Sequence, residues 1–208
     1  MLKRIAVFIL ILTLMLLFSC SQKQIIKHYY LLDVPYTGPA DTAGFSTSLP
    51  YTVQILPFEI SKAFDQNRIA LRTKSNQIEY YYYNFWATDP GTAVREFIFH
   101  YLRSSHLFRN ISLQLPRWQP DFFLNGSIEQ IERLSLPDQS SAHLKMQLWL
   151  SDRKSGAVLV EYRFDRYEPL RKNAAMNIFA AKISRILGEE LGVFGNRIRQ
   201  YFTKQAHP

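Results

Sequence analysis

AHLKMQLWLSDRKSGAVLVEYRFDRY, residues 142–167, reads as two strands and the turn between them. Leu144, Met146, Leu148 and Leu150 fall on one side of Ala142–Asp152, the period-two spacing of a strand with one apolar face. Arg153-Lys154-Ser155-Gly156 is a turn signal, and Ala157–Tyr167 forms the return arm. Upstream, Asp121–Leu134 alternates through Phe123, Asn125, Ser127, Glu129 and Ile131, with Gly126 read as a bulge. The three segments predict an antiparallel meander. On a regular strand Glu129 and Glu132 face opposite sides.

Before the meander, His28–Val34 reads as a first strand ended by Pro35, and residues 36–50 as an extended loop. Tyr51–Leu56 alternates and is strongly β-forming. Arg68–Thr73 and Gln77–Tyr83 form a pair of arms around Lys74-Ser75-Asn76. The second arm carries Tyr80-Tyr81-Tyr82-Tyr83, then Phe85 and Trp86. Regular alternation places Tyr80 and Tyr82 on one face and Tyr81 and Tyr83 on the other. Each buried tyrosine hydroxyl needs a partner, so two tyrosine faces resist complete burial. Tyr81, Tyr83, Phe85 and Trp86 are therefore candidates for an exposed contact surface towards a protein or lipid. The competing reading is a strand covered by a helix on one side, with tyrosines lying flat on the other.

Asp89-Pro90 predicts a helix start, with an N-cap acceptor followed by proline at the first helical position. Ala93, Val94, Phe97, Ile98, Tyr101 and Leu102 give that helix one apolar face ending near Ser105. A short strand is expected around Ile111–Leu113. After the meander, Asn173 is read as the cap of a final helix with Ala180, Ile183, Leu187, Leu191, Phe194, Ile198 and Tyr201 as its stripe. Gly188, Gly192 and Gly195 beside the stripe mark either a close approach or a break.

The first residues have a different character. Met1-Leu2-Lys3-Arg4 is a short positive segment, and Ile5–Phe18 is apolar apart from Thr13. As a helix those residues span about 21 Å at roughly 1.5 Å per residue, short of a bilayer core of about 30 Å. The pattern fits a secretory signal peptide. Leu17-Phe18-Ser19-Cys20, with the only cysteine of the chain, resembles the lipobox of bacterial lipoproteins. That resemblance implies a diacylglyceryl group on Cys20 and cleavage before it. It divides the chain into a signal peptide at 1–19, a lipidated tether at 20–28 and a domain at 29–208. An uncleaved anchor and an ordinary secretory peptide are the two competing readings of the segment. Ser21, in place of an aspartate after the cysteine, is by the sorting rule of that group a sign of the periplasmic leaflet of the outer membrane.

The 208 residues carry a net charge of +8, which becomes +6 once Lys3 and Arg4 leave with the signal peptide. The positive residues are scattered rather than blocked, and export argues against nucleic acid as a partner. Lys23 and Lys27 lie beside the anchor, where they either assist contact with anionic headgroups or are ordinary solvated charges. No catalytic constellation stands out. No serine sits in a G-x-S-x-G elbow, and His28, His100, His106, His143 and His207 form no H-x-x-x-H pair. No glycine-rich phosphate loop follows a strand. The expectation is no catalytic residue, no metal and no cofactor beyond the lipid on Cys20.

The order of features resembles the ABC-type transport auxiliary lipoproteins, the group that includes the paraquat-inducible protein C family. The matching residues are Cys20, Tyr29-Tyr30-Leu31-Leu32, Thr52–Pro57, Asn67-Arg68-Ile69, Ile78-Glu79-Tyr80 leading to Trp86, the helix after Asp89, Phe122–Glu132 and the C-terminal helix. The tyrosine run and Phe58–Asp65 depart from the usual pattern. The resemblance implies a non-catalytic role in envelope transport beside an MCE-domain protein and, through it, an inner-membrane ABC permease and ATPase.

The sequence thus predicts an α/β fold with α+β character. It is a single compact domain whose mixed, largely antiparallel sheet is packed by two main helices, after an N-terminal lipoprotein signal peptide. The expected function is a lipid-anchored adaptor docking an MCE lipid transporter at the outer membrane, with homo-oligomerisation an open expectation. Two rivals are a periplasmic carrier holding an acyl chain between helices and sheet, and an envelope-assembly lipoprotein unrelated to transport.

Overall fold

The computed structural model describes residues 26–33, 48–114 and 119–206. The signal peptide, Cys20, the end of the first predicted strand at Val34, most of the 36–50 loop and His207 lie outside them.

Strand β7 (Phe122–Ser135) is the axis of the sheet. One of its edges is paired along its whole length with β8 (Ser140–Asp152), which pairs in turn with β9 (Val158–Pro169). This is the meander expected from residues 121–167. The other edge is shared by three short strands in succession, all parallel to β7. They are β2 (Leu49–Ile55) at Phe122–Leu124, β3 (Glu59–Ile60) at Ser127–Ile128, and β4 (Arg68–Lys74) at Glu132–Leu134. Strand β5 (Gln77–Trp86) returns antiparallel on β4, and the short edge strand β1 (His28–Tyr30) runs parallel to β5. At the other end β6 (Phe108–Ser112) lies parallel to β2. The long ladders are antiparallel, yet five of the eight pairings among the described residues are parallel.

Helix α1 (Pro90–Ser105) begins as its sequence dictates. The Asp89 carboxylate accepts the Thr92 amide at 2.9 Å, and proline takes the first turn, where no amide is needed. His106 ends it in the left-handed conformation, φ 53°. Helix α2 (Met176–Ala206) is continuous through its glycines. A Cβ at Gly192 would stand 3.2 Å from the Tyr101 hydroxyl, so that glycine admits α1 rather than breaking α2. Asn173 is not the cap. It belongs to a turn closed by the Ala174 amide on the Arg171 carbonyl, and the Arg133 guanidinium donates to the Lys172 and Ala174 carbonyls there.

Both helices share one buried cluster with one face of the sheet. Trp86 meets Phe179, and Tyr162 stacks on Phe194. Leu124, Ile128, Ile131, Leu144, Met146, Leu148 and Leu150 point into the same cluster. Gly126 is not a bulge, since its register with Leu148 is regular. It is glycine because a Cβ would stand 2.2 Å from the Gln147 carbonyl oxygen and 2.8 Å from the Phe58 ring. The bulge falls between Ile128 and Gln130. It resets the alternation, so that Glu129 and Glu132 share the face away from the helices instead of opposing each other.

Candidate membrane and partner surface

The face away from the helices carries two groups of residues. The first is ionic. Glu132 is fully buried and is held by Arg72 Nε at 2.9 Å and His143 Nδ1 at 3.1 Å. His143 Nε2 lies 2.9 Å from Asp165, and its ring is stacked under Tyr167 with centroids 4.1 Å apart. Burial pushes the Glu132 carboxyl up, but the His143 and Arg72 contacts outweigh it and hold the group below the usual carboxylate range. Nearby, Glu129 pairs with Lys145 at 2.9 Å and Arg163 at 3.6 Å.

This cluster is the nearest approach to a catalytic constellation among the described residues, and its geometry argues for a structural role. Both imidazole nitrogens already face carboxylate oxygens, the ring is covered by Tyr167, and no nucleophile contacts it. No group of three or more His, Cys, Asp or Glu is placed to hold a metal among the described residues. The cluster left no local motif to read, because Arg72 and Glu132 are 60 residues apart and meet only through the β4–β7 register.

The second group is aromatic and centres on the tyrosine run. Strand β5 advances from Phe85 to Tyr80 while β4 advances only from Arg68 to Ala70, so residues 81–84 form a wide bulge. Arg68 fills it, with Nε donating to the Tyr81 carbonyl and Nη2 to the Tyr80 carbonyl, both at 3.2 Å. Its guanidinium also lies 5.7 Å from the Tyr80 ring centre and 5.9 Å from that of Tyr82.

The bulge scatters the four residues expected to form one contact surface. Trp86 is 1% exposed and belongs to the core, which corrects its assignment to a surface. The strand has resumed pairing with β1 by that point, and Trp86 turns to the helix side against Phe179. Tyr81 is half-buried, with its hydroxyl close to Arg133. Tyr83 and Phe85 stay on the outer face. Tyr83 is 40% exposed and makes an edge contact with Tyr82, which is 71% exposed. Phe85 is half-buried under Tyr29, with ring centroids 5.6 Å apart, and the Lys27 ammonium sits 5.6 Å from its centre. Tyr29 and Tyr82 thus belong to the surface and were missed, because strict alternation assigned Tyr82 to the face of the half-buried Tyr80. The Tyr80 hydroxyl donates to the Ala63 carbonyl at 2.9 Å.

Between the helices and the sheet the space is filled by Trp86, Phe97, Phe179 and Phe194, all buried. Surface grooves are present among the described residues. One of about 680 Å³ lies beside β6 and has Arg103, His106 and Arg109 on its rim. Another, of about 410 Å³, lies between the end of β1 and α1. No described helix is long and apolar enough to cross a membrane.

Residues 30–189 match the family of ABC-type transport auxiliary lipoprotein components, and the chain belongs to that family. It is an auxiliary component, not a catalyst. No curated protein matches the chain. Among solved structures, protein XCC0632 from Xanthomonas campestris is similar with a TM-score of 0.71 at 13% identity, covering 86% of this chain and 99% of that one. An uncharacterized protein gives a TM-score of 0.63, also at 13% identity, over 83% of this chain and 99% of its own. Both share the fold. A dodecameric PelC from Paraburkholderia phytofirmans reaches a TM-score of only 0.41 at 15% identity, over 70% of this chain and 91% of its own, which says nothing of assembly here.

Proposed function

We propose that the chain is a lipoprotein acylated on Cys20 and held in the periplasmic leaflet of the outer membrane. There it docks an MCE-domain protein that moves lipid to or from an inner-membrane ABC permease and ATPase. The observation that carries this reading is the family match across residues 30–189. The large buried rings of Trp86, Phe97, Phe179 and Phe194 between helices and sheet support an adaptor over a carrier. Anchoring raises the local concentration of the domain at the membrane, so a modest interface suffices for docking.

Affinity capture of the full chain from native membranes tests the docking. Recovery of an MCE-domain protein together with a permease and an ATPase is the expected result. Capture that yields an envelope-assembly machine instead would overturn it. Cys20→Ser should abolish acylation and release the domain from washed membranes, and unchanged fractionation would remove the anchor.

A further inference from the structure

We propose that the aromatic edge formed by β1 and the bulged half of β5 seats the domain on an anionic lipid headgroup layer. The inference rests on acylation of Cys20 and names the surface that the anchored domain turns to its membrane.

Chain length supplies the first constraint. Seven residue steps separate Cys20 from Lys27, and at no more than about 3.5 Å each they reach about 25 Å. Whatever path the tether takes, Lys27 stays within about 25 Å of the acylated residue. A protein partner has no need for its patch to lie at the root of the tether, whereas a lipid layer meets that region first.

The surface found there has interfacial composition. Tyr29 is 60% exposed and Tyr82 71%, with Tyr83 beside Tyr82. The rings form one row, with Tyr29 on Phe85, Phe85 two residues from Tyr83 along the strand, and Tyr83 edge-on to Tyr82. Tyrosines that are apolar along the ring and polar at the tip are the residues enriched where hydrocarbon gives way to water. Two cations lie against the same rings, Lys27 at Phe85 and Arg68 at Tyr82. Neither forms an ion pair among the described residues; Arg68 donates to the Tyr80 and Tyr81 carbonyls, and the exposed Lys27 is the cation offered to anionic headgroups. The bulge also matters mechanically. It turns Tyr82 and Tyr83 out together, where a regular strand would present only one of them.

The test uses the full acylated chain bound to vesicles of phosphatidylcholine and phosphatidylglycerol. Cys20 is the only native thiol and acylation consumes it, so a cysteine introduced by Tyr82→Cys takes a nitroxide label alone. Val158→Cys, on the opposite edge strand β9, serves as the control. On these vesicles the label at 82 should become several-fold less accessible to a water-soluble relaxation agent, while the label at 158 stays accessible. Adding Lys27→Glu should restore access at 82. Equal accessibility at 82 and 158 on vesicles that the protein co-floats with would overturn the seat and leave the anchor standing. Protection at 82 that requires an added MCE-domain protein would assign the patch to protein docking and overturn the seat as well. A wild-type chain that takes label at Cys20 and fails to co-float would remove anchor and seat together.

Discussion

The two faces of the sheet solve burial in opposite ways. Towards the helices, apolar side chains from β5, β7, β8 and β9 meet Phe179 and Phe194, and exclusion of water holds the face together. Carboxylates on that side sit where the helix border supplies partners. Glu190 accepts from the Tyr162 hydroxyl and from Arg166, and Glu168 is held by Arg185 and Lys182. Away from the helices no described helix covers the sheet, and side chains are buried by pairing with each other. Glu132 and His143 are buried there because Arg72, Asp165 and the Tyr167 ring enclose them. The contrast teaches that one strand alternation builds both an apolar core and a charged exterior, with exposed tyrosines at the β1/β5 edge and, in Tyr167, over the ionic cluster.

Trp86→Ala attacks the covered face and should have the largest effect, a loss of about 3–5 kcal/mol in denaturant unfolding. A loss no larger than that of an exposed tyrosine would return Trp86 to the surface and collapse the contrast. On the uncovered face, Glu132→Gln should cost about 1–3 kcal/mol through lost charge-assisted hydrogen bonds. Its pH dependence carries a sign. The native carboxyl is held low, so the stabilisation is present above the unfolded carboxylate pKa and lost as pH falls through the native one. The gap between wild type and Glu132→Gln should therefore narrow in acid, and a constant gap down to pH about 3 would refute the ionic account.

Tyr162 sharpens the comparison from the alkaline side. Burial, then the bond to Glu190, pushes its hydroxyl up to about 12 from the ordinary 10.0. A raised native pKa means stability that is complete below pH 10.0 and is lost as pH rises towards about 12. Wild type should weaken across that window by a step that Tyr162→Phe lacks, read from unfolding midpoints at each pH. Tyr82→Ser, on the exposed edge, should move stability by no more than about 0.5 kcal/mol. A larger loss would show that the edge is part of the fold and not a surface kept free for contact.

Local signals were legible where one short segment decides the outcome. Asp89-Pro90 set the start of α1, the apolar period of residues 142–152 set β8, and Arg153–Gly156 set the turn before β9. The errors arise where a distant segment decides. Trp86 and Tyr82 were misplaced because the bulge depends on Arg68 reaching across from β4. Glu129 and Glu132 were separated because the alternation shift at residues 128–130 has no signature in composition. Asn173 looked like a cap, yet Arg133 from β7 organises that turn. The parallel pairings of β2, β3 and β4 with β7 were likewise invisible, since a parallel neighbour need not be close in sequence.

The shared edge of β7 also dictates the order in which the domain can be completed. Thr52 meets Asp121 across 69 residues and Arg72 meets Glu132 across 60. A chain that emerges from its N-terminus delivers β2, β3 and β4 long before the strand they pair with. The β4–β5 hairpin can close at once, but three strand edges wait unpaired until residue 135 has emerged. Such edges recruit other strands, so the interval exposes the incomplete domain to aggregation. Release of β7 ends that interval in one step, because a single strand satisfies all three edges and supplies the template for β8. The parallel half of the sheet is thus completed late and all at once, when β7 arrives.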